Sequence, residues 1–540
     1  MRVWACVGLI LCLCVPAAHA EGSWRILKDH WSAEDEQGFG KFVEAIGASN
    51  CSSSESCLRD PANPYRATDQ KFLDISVDCA KWPYLLRAYY AWKNGLPFSF
   101  VDSIASTGDS RHSSTPNRPA GRRDFIDRGK GIDGPRAVRE VIDTVFSGTY
   151  RTDAAQKGGV LPDFYSPALQ PGSIRPGTVI YDINGHTGIV YRVDEDGRIY
   201  YMDAHPDFTI TRSVYGAQFG QSPARLGGGL KNWRPLQLMD AHADADGNLI
   251  GGKIVFAHDD QIADFSLVQY AGTEANPKLD VKKARFFYDG EELGFYEYVR
   301  AAVSGGKSRY NPIYELKVTM RTLCNDLRDR AKTVDLAISE NIQNEPHPSR
   351  LPDNIYDAGG NWESYATPAR DSRTRAAFAQ FYRNMAEMID LWVHRDPRIV
   401  YDGYNLKRDL LKAYDAQSEA CTIAYLNSAK RPVPMTFDDM LHRVYAMSFD
   451  PYDCIELRWG ASGEERESCP QSEMKLRWYE AEQRLRNDPR RVTSVAYDID
   501  DLEHAAAKHL GDDPPPVDVR GLIANMPWQV PLEPMHPVGR

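Results

Sequence analysis

Apolar positions change their period along this chain. Near the start, Phe39, Phe42, Val43 and Ile46 recur at helical intervals. Ser32 and Asp35 before them have capping-box spacing, and Gly47 is a stop. A second helix is predicted from about Cys79, with Asp78 as its N-cap. Trp82, Leu85, Leu86, Tyr89 and Trp92 form its apolar face, and Gly95 ends it. Residues 103–130 are rich in Ser, Arg, Gly and Pro and read as a long surface loop. Residues 135–147 read as helix again.

The period then falls to two. Residues 178–183 read as a strand, Asn184-Gly185 as a hairpin turn, and residues 187–193 as the return strand. Residues 198–203 and 208–212 continue the meander. From about residue 275 the pattern is mainly helical, at 291–303, 313–340, 373–394, 405–428 and 474–487. Pro514-Pro-Pro516 opens an extended tail. This patterning predicts an α+β N-terminal domain over 21–240, a linker or small β segment over 241–275, a mainly α-helical C-terminal domain over 276–512, and a tail over 513–540.

Composition narrows the function classes. A formal net charge of −11 over 540 residues, with 42% hydrophobic content, suits globular domains. It argues against nucleic-acid binding and against a polybasic membrane-surface role. Residues 1–20 carry Arg2, an apolar run from Val7 to Val15, and Ala18-His19-Ala20 at the end. That is the pattern of a cleavable secretory signal, so a periplasmic or secreted protein is expected, with no membrane span after cleavage. Cys6, Cys12 and Cys14 lie in that segment. Beyond it stand Cys51, Cys57, Cys79, Cys324, Cys421, Cys454 and Cys469. An odd number in an oxidising compartment leaves one thiol over.

Cys79 sits where thiol chemistry is favoured. A helix N-terminus stabilises thiolate through its dipole and unpaired amides. His186 opens a strand after a tight turn, where its ring can meet a helix start and act as a base. Asp203 ends the next strand and can orient the imidazole. His205, two residues on, competes for that role.

These residues resemble a known family. Val77-Asp-Cys-Ala-Lys-Trp-Pro83 with Gly95-Leu-Pro97 is similar to the nucleophile helix of the NlpC-type cell-wall endopeptidases. Pro176-Gly-Thr-Val-Ile-Tyr181 and Gly185-His-Thr-Gly-Ile-Val-Tyr191 resemble that family's central strands, and Tyr201-Met-Asp-Ala204 falls at its third polar residue. Asn63-Pro-Tyr-Arg66 is similar to its Thr-Pro-Tyr-Arg. The related CHAP amidases share the cysteine–histidine order. The resemblance covers about residues 60–205. It implies a papain-like sandwich with Cys79 as nucleophile, His186 as general base, Asp203 as its orienter, and Tyr65 beside the oxyanion together with the Cys79 amide. The sequence departs from the family at Ala80-Lys81, at Pro83, and in a long segment from about 98 to 176 that would form a lid or specificity wall.

Other signals carry less. His242-Ala-Asp244-Ala-Asp246-Gly-Asn248 hints at a calcium loop, but Lys253 stands where a bidentate acid belongs, so a turn is expected. His504 and His509 do not share a helix face. No metal or cofactor is expected. The expected function is an exported cysteine hydrolase cleaving amide bonds, in peptidoglycan peptides or another peptide substrate. The alternatives are an acyltransferase on the same triad and a catalytically degenerate envelope protein that binds a partner through its helical half. Cys51–Cys57, Cys324–Cys421 and Cys454–Cys469 would account for six cysteines and leave Cys79 free.

Overall fold

A computed structural model describes residues 22–69, 74–352, 354–356, 360–487, 498–508 and 513–527. The signal-like segment and His509 lie outside them. The chain is α+β. Helix α1 (Ala33–Ala48) is capped as its sequence predicts: the Ser32 hydroxyl accepts from the Asp35 amide, and the Asp35 carboxylate accepts from the Ser32 amide. Helix α2 (Lys81–Asn94) ends at Gly95, whose φ of 64° only glycine adopts without strain. Its Pro83 falls in the first turn, where a missing amide proton costs no helical bond.

A six-stranded antiparallel sheet forms the centre. Its strands are β1 (Phe164–Tyr165), β2 (Val179–Asp182), β3 (His186–Val193), β4 (Ile199–Ala204), β5 (Ile210–Val214) and β6 (Gly229–Trp233), in the spatial order β1-β6-β2-β3-β4-β5. Asp182 pairs with His186 across the turn, and Ile189 pairs with Met202. Both sheet faces are covered, so successive residues of β2 and β4 are buried on either side. Ile189, Met202 and Ala204 pack with Phe42, Leu85 and Leu86 of α1 and α2. Ile180, Val190 and Tyr201 face the other way, against Phe219 and against Val299 and Val303 of α3 (Phe295–Ser304).

The helical half is built on α4 (Pro312–Ser339), α5 (Pro368–Val393) and α6 (Leu406–Ala420), with Leu316, Leu323, Phe378, Met385 and Leu410 in its core. Glu315, in the first turn of α4, pairs with Arg198, just before β4, and lies 2.8 Å from Arg300 of α3. These pairs tie the helical half to the sheet.

Four expectations need correction. Residues 98–105 and 118–125 form an antiparallel hairpin whose second strand lies within the expected loop 103–130, because Phe98, Phe100 and Phe125 are buried, with Phe98 and Phe125 packed on Trp24. The predicted helix 405–428 stops at Ala420. Ile423–Leu426 is a strand, with Ile423 and Tyr425 buried and Ala424 and Leu426 exposed. Helix α7 (Val519–Ala524) interrupts the expected tail and buries Val519 and Ile523. Helix α3 packs on the sheet and not within the helical half. Within 241–275, His242–Ala243 pairs with Leu249–Ile250, and Asp244–Asn248 makes a turn in which the Asp244 carboxylate accepts from the Asp246 and Asn248 amides; Val268–Ala271 is helical.

Candidate active site

Disulfides join Cys51 to Cys57, Cys324 to Cys421 and Cys454 to Cys469, and Cys79 is the free thiol among the described residues. It stands two residues before α2. The thiol donates to the Gly185 carbonyl at 3.6 Å and is faced by the amide and hydroxyl of Thr187. Cys79 therefore touches both residues that flank His186. The tight turn sets this up, since Gly185 (φ 88°) reverses the chain and starts β3 beside the start of α2.

His186, Asp203 and His205 form one buried cluster. His186 Nε2 lies 2.6 Å from Asp203 Oδ2, and the His186 ring stacks on that of His205 at 5.6 Å. Thr211 donates to Asp203 Oδ1 at 2.5 Å. With Nε2 engaged by Asp203, the Nδ1 atom is the one open to take a proton.

Electrostatics sets the resting charges. Burial pushes the Cys79 thiol up, the Asp78 carboxylate adds to it, and the Thr187 donors only partly offset them, leaving it at about 11. The helix dipole does not rescue the thiolate, for a local reason. Asp78 Oδ1 accepts from the Ala80 amide at 3.1 Å and the Lys81 amide at 3.2 Å, so the cap occupies the donors that a thiolate would use. Burial lowers His186, and Arg373 lowers it further, against the opposing Asp203. Burial alone would raise Asp203, but His205, His186 and Thr211 outweigh it and hold the carboxyl below its usual range. At neutral pH the site is a neutral thiol beside a neutral imidazole held by an ionised carboxylate.

Tyr65 is not brought to this site. Its hydroxyl hydrogen-bonds the Asn94 side chain at the last residue of α2. A helix of this length spans about 21 Å, so Tyr65 and Cys79 lie at opposite ends. Buried Asn63 explains its motif, donating to Tyr89 Oη at 2.9 Å and to the Leu58 carbonyl at 2.6 Å.

The helical half roofs the site. A cavity of about 550 Å³ is lined by Cys79, Gly185 and His205, by His112 of the hairpin loop, and by Trp362 and Arg373 of the helical half. Arg370 also lines it, 3.9 Å from Asp207, with its Nη1 atom taking no hydrogen bond among the described residues. Thr187, His112, Arg370 and Arg373 were not singled out from sequence. Arg370 and Arg373 stand some 290 residues after Cys79 in a helix with no motif, so only folding brings them there.

The chain matches no protein-family model, no curated protein and no solved structure. Among the described residues no helix is long and apolar enough to cross a membrane.

Proposed function

We propose that this chain is an extracytoplasmic cysteine hydrolase that cleaves an amide bond in peptides, with peptidoglycan stem or cross-bridge peptides as the substrate class. The observation that carries the reading is the one free thiol among the described residues lying against both neighbours of His186, whose far nitrogen is held by buried Asp203. In the reaction, Cys79 Sγ attacks the amide carbon while its proton passes to His186. The imidazolium then protonates the leaving amine, giving a thioester. Water adds to the thioester with His186 as base, which frees the carboxylic acid and restores the thiol. Asp203 holds the ring and stabilises its charged form. The guanidinium groups of Arg370 and Arg373 suit a peptide that carries a free carboxylate. The signal-like N-terminus and the family resemblance support a wall substrate.

The test is digestion of purified peptidoglycan from several wall types, read as released muropeptides with new amino and carboxyl termini. Release by the native protein, its loss in Cys79→Ala, and a rate lower by at least about 10² in Asp203→Asn are expected. The same inert profile for native protein and C79A on every wall type would remove the hydrolase reading. The raised thiol and the helical roof favour one second reading, a wall-binding protein with a silent site. It predicts binding to intact wall that C79A leaves unchanged, with no release.

A further inference from the structure

We infer that His347, Asp450 and Glu482 form a site for one divalent transition-metal ion of the zinc class, outside the cavity lined by Cys79 and built into the helical half. These residues come from three segments: the loop after α4, the loop at 448–454, and the junction between the helices Glu473–Ala481 and Gln483–Asn487. One ligand atom from each lies within 4.8 Å of the others. Two observations point to a ligand there.

The first is the orientation of His347. Its Nδ1 atom lies 2.6 Å from the Pro348 carbonyl, which can only accept, so Nδ1 carries the proton. In the neutral ring, Nε2 then presents a lone pair, and it faces Asp450 Oδ2 at 2.7 Å. A proton on Nε2 or a metal ion at that position would satisfy this pair, and the Pro348 contact leaves Nε2 as the nitrogen that a metal can take. A backbone carbonyl holding the far nitrogen is the support that metal-binding histidines use. Stacking on Trp478 at 4.2 Å fixes the ring plane as well.

The second is Glu482. It is fully buried, and neither carboxylate oxygen takes a hydrogen bond among the described residues. Its cationic neighbour is Arg486, whose Nη1 lies 3.8 Å away while its Nη2 donates to the Tyr479 carbonyl at 2.7 Å. A buried carboxylate left in this state is costly. Lys475 does not compensate it directly, because its ammonium donates to the Gln343 and Tyr452 carbonyls at 2.6 and 2.9 Å.

One metal ion answers both problems. A tetrahedral zinc holds its donors about 3.3 Å apart, so small shifts within the cluster close it on the ion, and water takes the fourth position. One imidazole nitrogen with two carboxylates selects zinc-class ions over calcium or magnesium, which prefer oxygen alone. Asp453, also buried in this cluster, leaves the surrounding charge negative enough to accept a dication beside Arg486. The ion would clamp three segments that share little regular structure.

The test uses the full mature chain, dialysed against a chelator and then titrated with Zn²⁺ alone, with bound metal counted by mass spectrometry. One equivalent per chain is expected, with affinity lowered at least about tenfold in His347→Ala and in the nearly isosteric Glu482→Gln. Co²⁺ substitution should give the visible absorption of a four-coordinate site in the native chain only. Circular dichroism checks that each variant folds; should His347→Ala fail, Glu482→Gln carries the comparison. No uptake by the native chain, or equal uptake by folded Glu482→Gln, would overturn the site and leave a cluster neutralised by protons. None of these readings depends on hydrolase activity, so the two proposals fail separately.

Discussion

Burial raises the pKa of the Cys79 thiol most, and its neighbour Asp78 adds to the effect. One carboxylate caps α2 and, by the same contacts, denies the helix amides to the thiol. With its pKa pushed up to about 11, only about one thiol in ten thousand is ionised at pH 7. Iodoacetamide labelling of the native protein should therefore be slow at neutral pH and rise steadily towards pH 10. Asp78→Asn keeps a capping side chain but removes the charge. It should shift that profile to lower pH, with labelling at pH 8 faster by about threefold or more. Fast labelling of the native protein at pH 6, or no shift in D78N, would refute this account. For stability the sign of the Asp203 effect is fixed by its lowered pKa. Its contribution is present above the unfolded carboxyl value and is lost as pH falls through the lower folded value.

At the scale of elements, the sheet and its helices meet at glycine. Gly47 in α1 packs directly on the Tyr191 ring of β3, and a Cβ at that position would overlap the ring. Alanine is otherwise the better helix former, so propensity alone predicts that Gly47→Ala stabilises. Overpacking predicts the reverse, a loss of about 1–3 kcal/mol, because both the helix and the sheet are held by other contacts. Urea unfolding followed by circular dichroism decides between them; a midpoint equal to or above the native one would count against the close approach. The hairpin of residues 98–105 and 118–125 teaches a related point. Its ends are polar enough to read as loop, and its strand character comes from Phe98, Phe100 and Phe125 finding an aromatic core. The loop between its strands then supplies His112 to the cavity.

At the scale of the whole molecule, the helical half completes the cavity over Cys79 and is held there by charge. Glu315 neutralises Arg198 and Arg300, both largely buried beside it. Removing the carboxylate leaves Asp196 as the remaining partner of both guanidinium groups, so Glu315→Ala should cost roughly 1–3 kcal/mol. If this contact holds the roof in place, the same variant should also speed Cys79 labelling several-fold under native conditions. A variant that is destabilised yet labels at the native rate would mean that the roof is held elsewhere. The cystines act at this scale too. Cys324–Cys421 closes a span of 97 residues and joins α4 to the end of α6, whereas Cys51–Cys57 spans only 6. The longer link constrains the unfolded chain more.

The sequence by itself determined what depends on near neighbours. Periodicity, caps and turns placed α1, α2 and the strands β2 to β5, since those signals lie within a few residues of the elements they specify. Parity left one odd thiol, and spacing suggested Cys51–Cys57 and Cys454–Cys469; Cys324–Cys421 was what remained among the possible pairings, and the family resemblance pointed to Cys79. Strand order and turn geometry brought His186 near Asp203. Only the tertiary structure decided which groups converge from far apart. It set Tyr65 at the wrong end of α2, brought Arg370 and Arg373 over the thiol, and gathered His347, Asp450 and Glu482 in the helical half. It also fixed the charge state of Cys79, because a pKa answers to burial and to every charge nearby, and burial does not exist until distant segments pack together.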